Sequence, residues 1–313
     1  MKGVGLVAAA IAALVLAVVV GPTRIPLAEL ASSPIVRDLR IPRALLGLLV
    51  GGSLAVSGAG LQALVRNPLA DPFLMGLSGG AGLGAVGAIA LRFPGPWALP
   101  LAAFAGALAA MALVYRLGLV AGATLDPRIL LLAGVVVGSF AAAITTAIVS
   151  LSEAEQLRNA LLWLWGGLSG ASWTTVLVMV IYLPIPLFIL AASARPLDLM
   201  ALGDEPAAYL GADVARVRRR VYLAASMLTA AAVAVSGVIG FVGLIVPHIG
   251  RLVWGHRHGA LLPVSFLGGG ILVMLSDTLA RTAVAPRELP VGIVTALIGV
   301  PAFAVLLRRW VRT

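Results

Sequence analysis

Apolar residues run along this chain in blocks about as long as a bilayer is thick, and short stretches between them carry most of the charge. The blocks fall near residues 4–20, 44–64, 73–91, 97–115, 129–149, 173–192, 221–238, 239–254, 261–280 and 290–307. A transmembrane helix needs about 20 mostly apolar residues, so the pattern predicts about ten spanning helices. The division of 221–254 rests on topology. Its 34 residues contain no Lys, Arg, Asp or Glu except Arg251, and a break at Gly237–Gly243 makes two crossings that keep both flanks on one side. The first block lies behind Lys2 like the apolar core of a signal peptide. It is long for that, and no clear small-x-small cleavage site follows in GPTRIP, so it reads as a retained helix.

Composition agrees. Of 313 residues, 61% are hydrophobic and only 11% charged, with a mean hydropathy of +1.09; soluble domains carry roughly 25% charged residues. No length is left for a separate soluble domain, and residues 1–313 read as one transmembrane unit. Absence of Cys removes disulfides, thiolate metal sites and Cys nucleophiles. The net charge of +10 comes from 21 Arg and the single Lys2, spread through loops, which does not describe a nucleic-acid surface. With both termini inside, 14 Lys and Arg fall on the inner side and 8 on the outer side, in keeping with the positive-inside bias. Some outer arginines still cluster, with Arg37, Arg40 and Arg43 before the second block and Arg281 and Arg287 before the last. A negatively charged outer partner would explain them.

An internal repeat shows weakly. LAVSG at 54–58 matches VAVSG at 233–237, an offset of 179 that also carries Pro68 onto Pro247 and Arg40 onto Arg219. Two five-helix halves, about 1–150 and 173–313, would then have opposite topology, a recurring transporter plan. Small-xxx-small pairs such as Gly47/Gly51, Gly76/Gly80, Gly80/Gly84 and Gly134/Gly138 suit close helix packing within one subunit.

Chemistry-bearing motifs are sparse. Gly82–Gly87 spells GxGxxG but follows no strand and lies inside an apolar block. With Lys2 as the only lysine, no GxxxxGK[ST] exists, so this chain cannot hydrolyse ATP by a P-loop mechanism. His248, His256 and His258 form no HExxH, and nothing predicts a cofactor, a metal or a catalytic residue. Asp277 stands four residues before Arg281, a spacing for an i,i+4 ion pair. A proton-coupled carrier is expected to bury an ionisable group in mid-helix, and its absence points to energy supplied from elsewhere.

The longest polar inner segment is 193–220. Asp204-Glu205-Pro206 starts a short helix, Gly211 stops it, and Asp213 caps the next, which ends in Arg216 to Arg220. Two short helices joined by a glycine would make a stiff knob for a soluble protein to grip.

A set of ordered motifs then carries a family resemblance. They are Arg40-Ile-Pro-Arg43, Ser57-Gly58 through Gln62, Asn67-Pro68-Leu69-Ala70-Asp71-Pro72, Gly76-Leu-Ser-Gly-Gly-Ala81, Leu132-Ala-Gly134, Trp165-Gly166, Ala201-Leu-Gly203 with Leu210-Gly211, Gly240 through His248, and Glu288-Leu-Pro-Val-Gly292. The chain resembles the permease subunits of type II ABC importers, which move vitamin B12, haem and ferric siderophores. The resemblance implies an all-α polytopic membrane protein of about ten helices in two inverted five-helix repeats. It implies four kinds of neighbour: a second copy of itself, two cytoplasmic ATP-binding subunits, a periplasmic or extracellular substrate-binding protein, and the inner-membrane bilayer. Arg40, Arg43 and Arg281 are expected to dock the binding protein. Asn67, Pro68 and Leu69, with Thr124 and Asp126, are expected to form a cytoplasmic gate, although the family's second gate segment is often Ser/Thr-rich and here reads TLDPR. Leu202, Gly203, Asp204, Glu205, Ala207, Ala208, Leu210 and Gly211 are expected to couple to the ATPase. Trp163, Trp165 and Trp173 stand near the outer end, as interfacial anchors or as contacts for a bulky ring. The alternative is an ion-coupled secondary transporter that works without an ATPase.

Overall fold

The computed structural model describes residues 2–120 and 124–310, save the side chains of Leu27, Val120, Thr124, Leu306, Leu307, Arg309 and Trp310. Among these residues run fourteen α-helices: α1 (Lys2–Val19), α2 (Ile41–Val65), α3 (Leu77–Ala90), α4 (Ala98–Gly118), α5 (Pro127–Ser150), α6 (Ala154–Leu164), α7 (Trp173–Tyr182), α8 (Pro184–Ala192), α9 (Ala194–Met200), α10 (Asp204–Tyr209), α11 (Val214–Ser236), α12 (Val242–Trp254), α13 (His258–Thr282) and α14 (Val291–Trp310). The only strands among them are the two-residue pair Leu119–Val120 and Thr124–Leu125, a clasp between α4 and α5. Six segments are long and apolar enough alone to cross a membrane, counting α7 and α8 together as Trp173–Ala192. Helices α3, α11, α12 and α14 complete the ten blocks of the sequence pattern.

Each boundary has a local cause. The chain leaves α2 through Arg66 in the left-handed region (φ 51°), and α3 starts only after Gly76 (φ 75°). The predicted break in 221–254 lies at Gly237 (φ 66°) and Phe241 (φ 68°), which turn α11 into α12. Asp213 caps α11 by accepting from Arg216 N at 3.0 Å.

Helix α2 is the axis of the packing. Leu46, Val50, Leu61 and Leu64 are completely buried. It packs against α11 and α13, while α11 packs against α2 and α4. The second helix of each half therefore lies on the fourth spanning helix of the other. In lipid no hydrophobic force draws helices together, so close approach and polar contacts must do so. A Cβ on Gly51 would lie 2.1 Å from the Gly269 carbonyl, and one on Gly269 would lie 2.1 Å from that of Gly51. Ser57 adds a hydroxyl contact to Thr229 at 2.7 Å and donates to Ala225 O at 2.8 Å.

Three sequence expectations change. The offset of 179 is not a structural register, because Pro68 lies in the turn after α2 whereas Pro247 lies inside α12; matching the helix ends Val65 and Ser236 gives 171 instead. The second knob helix is not short, since 214–220 continues into the spanning α11. The knob instead pairs α9 with α10 through Gly203 (φ 122°). Finally, α6 answers to no apolar block: it is an 11-residue amphipathic helix, started where Glu153 N donates to the Gln156 side chain at 3.2 Å.

Candidate functional site

Polar side chains gather at the two ends of the bundle. On the face opposite the N-terminus, Arg40 and Arg281 are almost fully buried, at 4% and 3% exposure. The last carbonyls of a helix lack partners and attract cations. Arg40 meets that need for α1, donating to Val18 O at 3.1 Å, Val19 O at 2.7 Å and Thr23 O at 2.5 Å. Arg281 reaches Ala17 O of the same helix end. Of the three arginines expected to dock the binding protein, these two are thus buried within the chain and hold the end of α1. Arg43 binds Asp277 at 2.8 Å and Glu288 at 2.9 Å, and so ties α2 to α13 and to the segment before α14. Asp277 therefore pairs chiefly with Arg43; Arg281 Nε stands 3.6 Å away. The exposed cations of this face include Arg24, Arg37, Arg92, Arg158 and Arg287; Arg37 is paired with Asp38 at 3.0 Å and Arg92 with Glu153 at 2.7 Å. Trp173 Nε1 donates to Arg37 O at 3.1 Å, which fits an anchoring role.

At the other face the α2–α3 turn is stiffened from within. Asn67 Oδ1 accepts from Leu69 N at 2.9 Å, and Asn67 N donates to Gln62 O at 3.1 Å. Pro68 keeps the preceding residue out of the helical region. Asp71 caps the next turn by accepting from Phe73 N at 2.8 Å, and burial pushes its carboxyl up to about 6. The second expected gate segment is organised by Asp126, which accepts from Arg128 N at 2.7 Å and begins α5. Thr124 takes part through its backbone, paired with Val120; its side chain lies outside the described residues.

The knob stands beside both turns. Ala207 is completely buried, whereas Leu202, Tyr209 and Leu210 are 66%, 84% and 60% exposed. Gly211 (φ 87°) ends α10, and Glu205 and Ala208 lie on its exposed side. Asp204 brings in two residues the sequence did not single out. One carboxylate oxygen takes Arg66, and the other takes Arg218 at 2.5 Å. Arg218 also donates to Leu125 O at 3.2 Å. Burial, then the neighbouring Arg218, holds the Arg66 guanidinium below its ordinary pKa. No sequence signal links these positions, because the contact depends on how α2, α10 and α11 cross. Nearby, His258 Nδ1 lies 2.6 Å from Asp198, tying α13 to α9.

Two cavities flank α6. One of about 640 Å³ is lined by Trp97, Asn159, Trp163, Ser169, Thr175 and Ser236 among others. The second, about 570 Å³ and nearly all apolar, opens between Trp165, Phe241, Leu297 and Pro301. The described residues thus offer two cavities, stiff turns and an exposed knob.

The FecCD transport family matches residues 7–309. The chain is 46% identical over 274 residues to the cobalamin import system permease protein BtuC of Halobacterium salinarum, covering 88% of this chain and 73% of that protein. It is 45% identical over 282 residues to the hemin transport system permease protein HmuU of Yersinia pestis, covering 87% and 82%. A solved transporter described as of metal-chelate ABC type, in an inward-facing conformation, superposes with a TM-score of 0.89 at 30% identity, covering 97% of this chain and 98% of that one.

Proposed function

Because the chain belongs to the FecCD transport family, we propose that it is the non-catalytic membrane subunit of an ATP-driven importer for a metal chelate or corrinoid. Residues 1–313 act as one permease unit, with halves at about 1–150 and 173–313 and a coupling segment at 193–220. The observation that carries this reading is the knob. Leu202, Tyr209 and Leu210 expose large apolar side chains on a short, glycine-bounded helix pair, at 66%, 84% and 60%. Apolar surface held out on a rigid polar segment marks a protein–protein contact, and a helix seated in a partner's groove is a common form of one.

The remaining assignments follow from that contact. The knob sits in a cytoplasmic ATPase, which puts both termini in the cytoplasm and the subunit in the inner membrane. A second copy closes the apolar cavity at Trp165, Phe241 and Leu297 into a central pathway. Asn67, Pro68 and Leu69, with Thr124 and Asp126, shut its inner end. The binding protein docks around Arg43 and the exposed Arg37 and Arg287, with Arg40 and Arg281 holding α1 in place beneath it. The relatives support a bulky chelate or corrinoid as cargo, since they are named for cobalamin and hemin.

The test is reconstitution of the chain with its ATPase and binding protein in proteoliposomes, offered labelled cyanocobalamin, haemin or ferric citrate. Uptake of one of them that requires ATP inside the vesicle or on the ATPase side supports the reading. Uptake driven by an ion gradient without the ATPase overturns it.

A further inference from the structure

We propose that Arg218 is a positioning residue that links the knob to both gate segments, so that movement of α10 is passed to the α2–α3 and α4–α5 turns together. The proposal rests on the importer reading above and goes beyond it by naming the connection.

Three chain segments meet at one carboxylate. Asp204 is the first residue of α10. Its Oδ1 takes Arg66, which adjoins Asn67, and its Oδ2 takes Arg218 at 2.5 Å. Arg218 continues the connection, since its Nη1 donates to the carbonyl of Leu125, the residue before Asp126. Asp126 places its negative charge close enough to act on Arg218 as well. One planar guanidinium thus spans the knob and the start of α5, a geometry that a lysine cannot reproduce.

Exposure differs usefully among the three. The Arg218 side chain is 12% exposed, against 39% for Arg66 and 46% for Asp204. Arg218 is the fixed member, and the other two can trade partners with water. Two guanidiniums also compete for one carboxylate, and burial together with Arg218 lowers the Arg66 pKa. Displacing α10 would leave the two cations facing each other without their shared anion. The turn that carries Arg66 then has an electrostatic reason to move away from Arg218.

The experiment compares Arg218→Met, Arg218→Lys and Arg66→Met in the full reconstituted complex, scoring ATPase co-purification, ATP hydrolysis and substrate taken up per ATP. Arg218→Met is expected to assemble and hydrolyse ATP while uptake per ATP falls at least tenfold. Arg218→Lys should recover part of that loss, and Arg66→Met should lose less than Arg218→Met. Wild-type uptake per ATP in Arg218→Met overturns the proposal. So does a loss of assembly or hydrolysis in proportion to uptake, which would make Arg218 merely structural. If Arg218→Met does not fold, Arg218→Lys decides: reduced uptake per ATP with intact assembly supports the link, and an unchanged ratio refutes it. A wild-type complex that binds no ATPase and shows no ATP-dependent uptake would fail the importer reading itself, with no mutation needed.

Discussion

Replacing Asp277 by Asn should destabilise the bundle more than any surface charge change, because it leaves a buried guanidinium without its main counter-charge. Arg43 and Asp277 are 14% and 3% exposed and meet at 2.8 Å. Breaking a buried pair by removing one partner costs roughly 3–5 kcal/mol. Arg43 keeps Glu288 at 2.9 Å, so the lower end, about 3 kcal/mol, applies to Asp277→Asn. Arg43→Met should cost more, toward about 5 kcal/mol, because Asp277 then retains only Arg281 Nε at 3.6 Å. Replacing both, as Arg43→Met with Asp277→Leu, removes the uncompensated charge and should cost less than the sum of the singles by at least about 2 kcal/mol. The assay is reversible unfolding from mixed micelles by SDS titration, read by the fluorescence of the 6 tryptophans. Additivity within about 0.5 kcal/mol, or a cost for Asp277→Asn below about 1 kcal/mol, would show that water already screens the pair and would refute the reasoning.

Other outcomes follow from single contacts. Gly58→Ala would set a Cβ 1.9 Å from the Gly243 carbonyl, forcing α2 from α12 at a cost of about 1–3 kcal/mol; Gly87→Ala meets nothing within 4 Å and should gain about 0.5–1 kcal/mol as a better helix former, both measured as thermal midpoints in detergent. Asp71 is held protonated up to about 6, against an ordinary value of 3.8. Its folded pKa is the higher one, so its contribution is fully present below 3.8 and is lost as pH rises through about 6. Stability should therefore fall mainly between pH 3.8 and about 6, by an amount on the order of 1–3 kcal/mol, and Asp71→Asn, which keeps the cap acceptor, should flatten that slope; an unchanged slope refutes the assignment. Arg37→Glu with Arg287→Glu should weaken binding-protein capture several-fold at low salt and much less at high salt, as exposed pairs are screened. Equal affinity at both salts would remove those residues from the docking face.

Period and charge made the ten blocks legible, and glycine made the breaks legible. Gly237 and Gly211 adopt the positive φ that their places in the pattern implied. Local chemistry also showed, as with Asp213 before α11. What the sequence could not show was tertiary. Arg40 and Arg281 looked like free charges on the wrong side because nothing in the pattern places the end of α1 beside them. Asp277 looked like the partner of Arg281 because four residues is a helical neighbour distance, yet a residue 234 positions away wins it. The amphipathic α6 has too few apolar residues to register against a pattern of spanning blocks.

The two ion clusters differ in a way that assigns them different work. At the face opposite the N-terminus, Arg43 and Asp277 sit in a setting from which water is largely excluded. Separating them leaves bare charge in low dielectric, so that end of α2 and α13 moves as one body or not at all. At the other face, Asp204 and Arg66 are 46% and 39% exposed, and water can replace either partner at little cost. A transporter that must open one end while the other holds needs this asymmetry. On the importer reading proposed above, the buried pair would serve as a fixed point and the hydrated one as a joint that can open and close. Burying the second cluster as well, by covering Asp204 with apolar neighbours, should therefore slow the cycle without weakening the fold.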